Sequence, residues 1–192
     1  KRVVLCTHFM AEYIEYHFSA GYWQDIEVVC CREPQPLGTG GALRNAYDTI
    51  QSDRLLVLNG DSYCRLNTDG LQECLVNKGV DIALQLVYSD DTSRYGTVVL
   101  SDDGRITAFK EKTGLHNGGH INAGIYALRR DVIRDIPPHI AFSLERDLFP
   151  MRVGHDLYGV VGSGPFVDIG TPDSYVAAAQ ILDTEMSNLN RF

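Results

Sequence analysis

No stretch of the sequence approaches the roughly 18 to 20 consecutive apolar residues that a membrane-spanning helix requires, so a helical span is excluded. Positive charge is also in short supply: 17 Lys and Arg stand against 25 Asp and Glu, giving a formal net charge of −8 and a sequence pI of about 5.1. Such a surface repels a long phosphate backbone and argues against nucleic acid as a partner. A small anion such as a triphosphate needs only a few local donors and a cation, so it stays within reach. The five cysteines, Cys6, Cys30, Cys31, Cys64 and Cys74, are odd in number and contain no Cys-x-x-Cys spacing. That pattern excludes a disulfide framework and predicts a reducing, cytoplasmic setting. There is no Gly-Lys-Ser/Thr loop, no Gly-x-Gly-x-x-Gly and no evident Ser-His-Asp arrangement. His116 and His120 have a zinc-like spacing, but Asn117-Gly118-Gly119 between them disfavours the helix such a site needs. His8, His17, His139 and His155 are scattered, and Trp23 reads as packing.

What is present suits one core. At 192 residues and 44% hydrophobic, the chain is expected to form a single domain over residues 1–192. Short β-branched runs alternate with segments of helical period, which predicts an α/β fold with a Rossmann-like, mostly parallel sheet flanked by helices. Val3-Val4-Leu5 reads as a strand; Met10, Tyr13, Ile14, His17 and Phe18 fall on one face of a following helix. A strand from Ile26 to Cys31, a glycine-rich helix entry at Gly38 to Gly41 and a strand from Arg54 to Asn59 continue the rhythm. Past Asp81, Ile82 to Val87, Thr97 to Leu100, Ile106 to Phe109 and Ile121 to Leu128 read as additional antiparallel hairpins joined by turns such as Asp102-Asp103-Gly104. A strand at Leu157 to Val161 precedes a last helix, capped by Thr171 and Pro172, with Tyr175, Ala179, Leu182 and Met186 as its expected buried face. The chain opens directly on a strand with no glycine-rich loop before it, so a first strand and phosphate loop are expected upstream, in a longer polypeptide.

Several segments can carry chemistry. Pro36-Leu37-Gly38-Thr39-Gly40-Gly41 places three glycines between a strand and a helix, as either a tight turn or a close backbone approach to a ligand. Leu58-Asn59-Gly60-Asp61 delivers a carboxylate at the carboxyl end of a strand, where open α/β sheets place ligands. Phe166-Val167-Asp168-Ile169-Gly170-Thr171 delivers a second. Each alone could be turn chemistry. Together, two distant carboxylates at strand ends suit a magnesium ion acting on phosphates, because waters and phosphate oxygens complete its octahedron. Glu111 and Lys112 alternate in direction within Phe109-Lys110-Glu111-Lys112, so one could meet sugar hydroxyls and the other a phosphate, unless the cluster is simply solvated. Asn122 enters an apolar strand as either a backbone cap or a sugar contact.

Taken in order, Glu33-x-x-Pro36-Leu37-Gly38-Thr39-Gly40-Gly41, Leu58-Asn59-Gly60-Asp61, Tyr95-Gly96, Phe109-x-Glu111-Lys112, Ile121-Asn122-Ala123-Gly124, Ser143-Leu144-Glu145 and Asp168-Ile169-Gly170 resemble the sugar-1-phosphate nucleotidyltransferase family. The likeness is greatest to its heptose- and mannose-1-phosphate guanylyltransferases. It implies a GT-A-like architecture, Mg²⁺ held by Asp61 and Asp168, and a catalytic Lys112. It further implies a nucleotide pocket of Glu33, Pro36, Leu37, Gly38, Thr39, Gly40, Gly41, Asn59 and Gly60, with sugar-phosphate contacts from Gly96, Glu111, Lys112 and Asn122. A carboxylate at Glu33 could accept from two donors of guanine, against one in uracil or thymine. The expected partners are a nucleoside triphosphate and a sugar 1-phosphate, with self-association into a homo-oligomer left open. Alternatives are a glycosyltransferase of similar architecture, disfavoured because Tyr63 stands where an Asp-x-Asp element would have its second carboxylate, and a silent nucleotide-sugar-binding regulator. The family's Gly-Gly-x-Gly-Thr-Arg-Leu loop is not in this stretch, so by itself the stretch is expected to be inactive and to fold poorly.

Overall fold

The computed structural model describes residues 1–110 and 118–189. In chain order it contains β1 (Arg2–Thr7), α1 (Ala11–His17), β2 (Tyr22–Trp23), β3 (Ile26–Arg32), α2 (Gly38–Asn45), β4 (Arg54–Leu58), β5 (Ser62–Cys64) and α3 (Thr68–Asn77). There follow β6 (Ile82–Ser89), β7 (Thr97–Leu100), β8 (Ile106–Lys110), β9 (Gly119–Arg129), α4 (Arg130–Arg134), α5 (Phe149–Arg152), β10 (Leu157–Val161), β11 (Phe166–Asp168) and α6 (Pro172–Leu189). The chain forms two compact units, one of Lys1–Arg54 with Arg129–Met151 and one of Leu55–Leu128 with Arg152–Phe192.

In the first unit β1 runs parallel to β3, from Arg2 opposite Glu27 to Thr7 opposite Arg32, and β2 lies antiparallel on the other edge of β3. Val28, Leu37, Ala42, Ala46, Ile133 and Phe149 are buried there. The stripe expected on α1 is not a buried face: Met10 is 57% and Tyr13 68% exposed, and Ala11 is the helix residue that is buried. Periodicity identifies residues that share a face; a seven-residue helix seated through Ala11 covers too little of its neighbours to bury a five-residue stripe.

The second unit holds a sheet in the order β10-β6-β9-β7-β8, with β4 also pairing to β9, and a two-stranded sheet of β11 and β5. The α/β class is borne out, and the balance of directions is mixed. β10 and β6 are parallel, whereas β6 with β9, β9 with β7, β7 with β8 and β11 with β5 are antiparallel. Turn chemistry accounts for part of this. At Asp102-Asp103-Gly104 the Gly104 N–H donates to Ser101 O at 2.9 Å and Gly104 adopts φ +87°, a left-handed conformation that closes the β7–β8 hairpin.

β6 is buried from Ile82 to Val87, as a strand covered on both faces must be, and so reads as a continuous apolar run with one polar residue, Gln85. That amide is satisfied on both sides. Its Nε2 donates to Arg65 O at 2.7 Å and lies 3.0 Å from Cys64 Sγ, and its Oε1 accepts from Asn67 N–H at 2.8 Å. Gln85 thereby fixes the exit of β5 to the start of α3, whose first turn is capped by Asn67 Oδ1 accepting from Gly70 N–H at 3.0 Å. Gln85→Leu takes the partner from a part-buried carbonyl and a part-buried N–H, so it is expected to lower stability by about 1 to 3 kcal/mol in chemical denaturation. A loss under about 0.5 kcal/mol, the usual range of a surface change, would contradict this account.

The last helix turns a different face inward from the expected one. Ala178 and Glu185 are buried, whereas Tyr175 and Met186 are 66% and 58% exposed. The cause is polar: Glu185 accepts from Arg65 Nη2 at 3.0 Å and from Tyr63 OH at 3.4 Å, which rotates α6 toward β5. The cap at its start is as expected, with Thr171 Oγ1 accepting from Ser174 N–H at 3.2 Å.

Candidate active site

Within the second unit the two expected metal carboxylates come from neighbouring backbone. β5 and β11 pair antiparallel with Ser62 opposite Asp168, and just beyond that pair the Ile169 N–H donates to Asp61 O at 2.9 Å. Directly opposed residues share a face of the sheet. Ser62 therefore lies on the side of Asp168, and its Oγ donates to Oδ1 of the adjacent, exposed Asp61 at 3.1 Å.

The turn that delivers Asp61 is held by a relay from β9. Asn59 N–H donates to Gly124 O at 2.8 Å; Gly124 N–H donates to Asn122 Oδ1 at 3.0 Å; and Asn122 Nδ2 donates to Tyr126 OH at 2.9 Å. Gly124 has φ +73°, and a Cβ there would stand 2.9 Å from Asn59 Nδ2, so only glycine lets the turn approach this closely. Of the two readings open for Asn122, the backbone cap is what its bonds describe.

Asp168 is surrounded by donors. Its Oδ1 accepts from Gly170 N–H at 2.9 Å and Arg94 Nη2 at 2.8 Å, and its Oδ2 accepts from the Tyr95 hydroxyl. Burial pushes this carboxyl up, but Tyr95, Gly170 and Arg94 together outweigh burial and hold it below the usual aspartate range. The same contact drives Tyr95 the other way: burial first, then the hydrogen bond and charge of Asp168, push the phenol up to about 12, so it stays a donor at any physiological pH. Because the folded carboxyl titrates below the unfolded one, Asp168 contributes stability above the ordinary aspartate pKa of about 3.9, and that contribution is lost as pH falls through the folded value. The D168N variant should accordingly show a shallower loss of melting temperature on acidification below about pH 4 than the parent. Parallel curves would remove this role.

In the first unit Glu33 is buried, and its Oε2 accepts from Leu37 N–H at 2.9 Å, closing the Pro34–Leu37 turn on itself. Gly38 follows at φ +71°, where a Cβ would meet Phe142 O at 2.9 Å. The N–H groups of Gly40 and Gly41 both donate to that same Phe142 carbonyl, at 2.9 and 3.0 Å. Two of the loop's amides are thus engaged by the protein, and the glycines serve close packing against 140–144. Thr39 is locked beside them: its Oγ1 donates to Glu145 Oε2 at 2.7 Å and accepts from Leu144 N–H at 2.9 Å, while Ser143 Oγ also donates to Glu145 Oε2 at 2.8 Å. Pro36, Gly38 and Thr39 are exposed along this loop, and Leu37, Gly40 and Gly41 are buried beneath it.

The nucleotidyl transferase family model matches residues 1–185. The chain belongs to that family. D-glycero-alpha-D-manno-heptose 1-phosphate guanylyltransferase of Aneurinibacillus thermoaerophilus is 32% identical over 182 residues, covering 94% of this chain and 78% of that protein. Mannose-1-phosphate guanylyltransferase of Mycobacterium tuberculosis is 32% identical over 179 residues, and there the chain spans only half of the relative's length. The crystal structure of HddC from Yersinia pseudotuberculosis superposes with a TM-score of 0.80 at 33% identity, over 93% of this chain and 77% of that one. HddC has also been solved in complex with GMP-PN, and that structure matches with a TM-score of 0.79.

For this nucleotidyl transferase, Glu111 and Lys112 lie outside the described residues. Gly96 immediately precedes β7, beside the end of β8, and a Cβ there would be 3.2 Å from Lys110 O. Asn59 is half-buried and Gly60 exposed in the turn before Asp61. Reading the sequence missed Arg94 as a partner of Asp168 and Glu145 as the clamp on Thr39. The motifs containing Tyr95 and Glu145 were visible, but their partners lie 73 and 106 positions away, a pairing that only the fold supplies.

Proposed function

We propose that this chain carries out guanylyl transfer, moving GMP from GTP to a heptose- or mannose-type sugar 1-phosphate and releasing pyrophosphate. The observation that supports the reading is the β5–β11 pair, which runs the backbone of Asp61 alongside that of Asp168 and Ile169 in a chain whose relatives are guanylyltransferases. Two carboxylates suit a magnesium ion, because waters and phosphate oxygens fill its remaining positions, and Asp61 is exposed to receive it. Such an ion, when bound, neutralises charge on the phosphates during in-line attack by the sugar phosphate on the α-phosphorus.

The chain's own groups orient the reactants. Asn122, Gly124 and Asn59 fix the turn carrying Asp61; Tyr95 and Gly170 aim Asp168; and the loop from Pro36 to Gly41 receives the nucleotide. Gly96, Glu111 and Lys112 are assigned to the sugar phosphate, with Lys112 supplying positive charge. Glu33 is assigned to loop shape, since one of its oxygens is committed to the Leu37 N–H. E33Q, which keeps an acceptor, should retain the preference for GTP over UTP, whereas loss of that preference would return guanine recognition to Glu33.

The test is pyrophosphate release by the full-length protein across GTP, ATP, UTP and dTTP with heptose, mannose and glucose 1-phosphates. GTP with a heptose or mannose 1-phosphate should give the highest rate. A highest rate with UTP or dTTP, or release with no sugar phosphate at all, would overturn the assignment.

A further inference from the structure

Asp168 carries a cation of its own. Arg94 Nη2 donates to Oδ1 at 2.8 Å, the guanidinium sits 5.5 Å from the centre of the Tyr95 ring, and the Arg94 side chain is 47% exposed against 14% for Asp168. The two side chains that donate to this carboxylate differ in how firmly they are held. Tyr95 is half-buried and packs edge-on against Phe166 at 5.4 Å between ring centres, so its hydroxyl is fixed. Arg94 reaches in from solvent on a flexible stem, so its end of the pair is exposed and free to swing away without unpacking the core. A divalent cation approaching Oδ1 meets the positive charge of Arg94 first, and the two cannot share that oxygen without strong repulsion.

We propose that Arg94 is a displaceable counter-ion for Asp168: it holds the carboxylate in place, yields it to the divalent cation, and turns its guanidinium to the phosphate of the sugar substrate. This rests on the metal-site reading of Asp168 given above. The geometry supports each part. Gly170 and Tyr95 keep Asp168 aimed when Arg94 leaves, so the carboxylate does not collapse. Arg94 is also two residues before Gly96, the position assigned to the sugar phosphate, and a planar guanidinium suits a phosphate's paired oxygens better than an ammonium does. The arrangement couples the two events, since entry of the metal releases the residue that captures the phosphate. Arg94 is in these terms a positioning residue for the metal carboxylate before it is a ligand for substrate.

The test compares the full-length wild-type, R94Q and Y95F proteins, using Mn²⁺ alone as the probe and electron paramagnetic resonance to count free ion, with no nucleotide present. R94Q should bind Mn²⁺ about tenfold more tightly than wild type, the size expected for removing one partly screened charge beside the ion. Y95F should bind it no more tightly, because it loses a donor without removing a charge. In steady-state kinetics R94Q should raise KM for the sugar 1-phosphate about tenfold with KM for GTP unchanged, and R94K should recover part of the loss. Unchanged or weaker Mn²⁺ binding by R94Q, or no binding by either protein, would overturn the inference, provided the melting temperatures agree. Tightened Mn²⁺ binding in a protein that releases no pyrophosphate from any substrate pair would instead leave the counter-ion role standing and remove the guanylyl-transfer reading.

Discussion

A full-length D168N protein is expected to release pyrophosphate on the order of 10³-fold more slowly than the parent at saturating substrates. A metal ion that neutralises phosphate charge is worth several kcal/mol in the transition state, and each 1.36 kcal/mol is tenfold in rate. Asn keeps the shape of the side chain and one acceptor oxygen, so the Gly170 N–H retains a partner. What it loses is the charge. D61N should fall by a similar factor, and the double variant by little more than either alone, because residues that act on one ion are strongly non-additive. A D168N rate within tenfold of the parent would remove Asp168 from the metal site.

The second large effect is expected at Gly38. Its φ of +71° costs roughly 1 to 2 kcal/mol for any residue bearing a Cβ, and that Cβ would stand 2.9 Å from a backbone oxygen that has no freedom to turn aside, Phe142 O. Phe142 O also receives the Gly40 and Gly41 N–H groups, so displacing it disturbs the whole loop. G38A should raise KM for GTP by roughly tenfold to a hundredfold, equivalent to about 1.4 to 2.7 kcal/mol, with KM for the sugar 1-phosphate nearly unchanged. An equal rise in both constants would point to general unfolding and away from a nucleotide-loop role. G154A makes a useful comparison, because Gly154 shares the positive φ but has open space around its missing side chain.

Much of the scaffold could be read from residue order. The run from Ile82 to Val87 announces a strand, Asp102-Asp103-Gly104 announces a hairpin, and Thr171 with Pro172 announces a helix start; each is a local rule obeyed locally. The position of Asp61 at a strand end follows from the same reasoning. What could not be read depended on partners far along the chain. The inward face of α6 is set by Glu185 meeting Arg65 and Tyr63, so a polar contact overrode the apolar stripe. The helix α3 begins at a side-chain cap on Asn67 that itself hangs from Gln85. The glycines of the 38–41 loop suggested amides offered to a ligand, yet two of them are spent on Phe142, because backbone that can approach a phosphate closely can also approach another strand of protein.

That last contact has a kinetic corollary. The Gly40 and Gly41 amides find their acceptor roughly a hundred positions downstream, so no local event can complete the loop, and its ordering must await a long-range closure whose entropic cost rises with the logarithm of the chain between. On the ribosome the loop therefore stays open until Phe142 has emerged. In the folded molecule its amide protons should exchange in step with those of the 140–145 segment, as one cooperative opening.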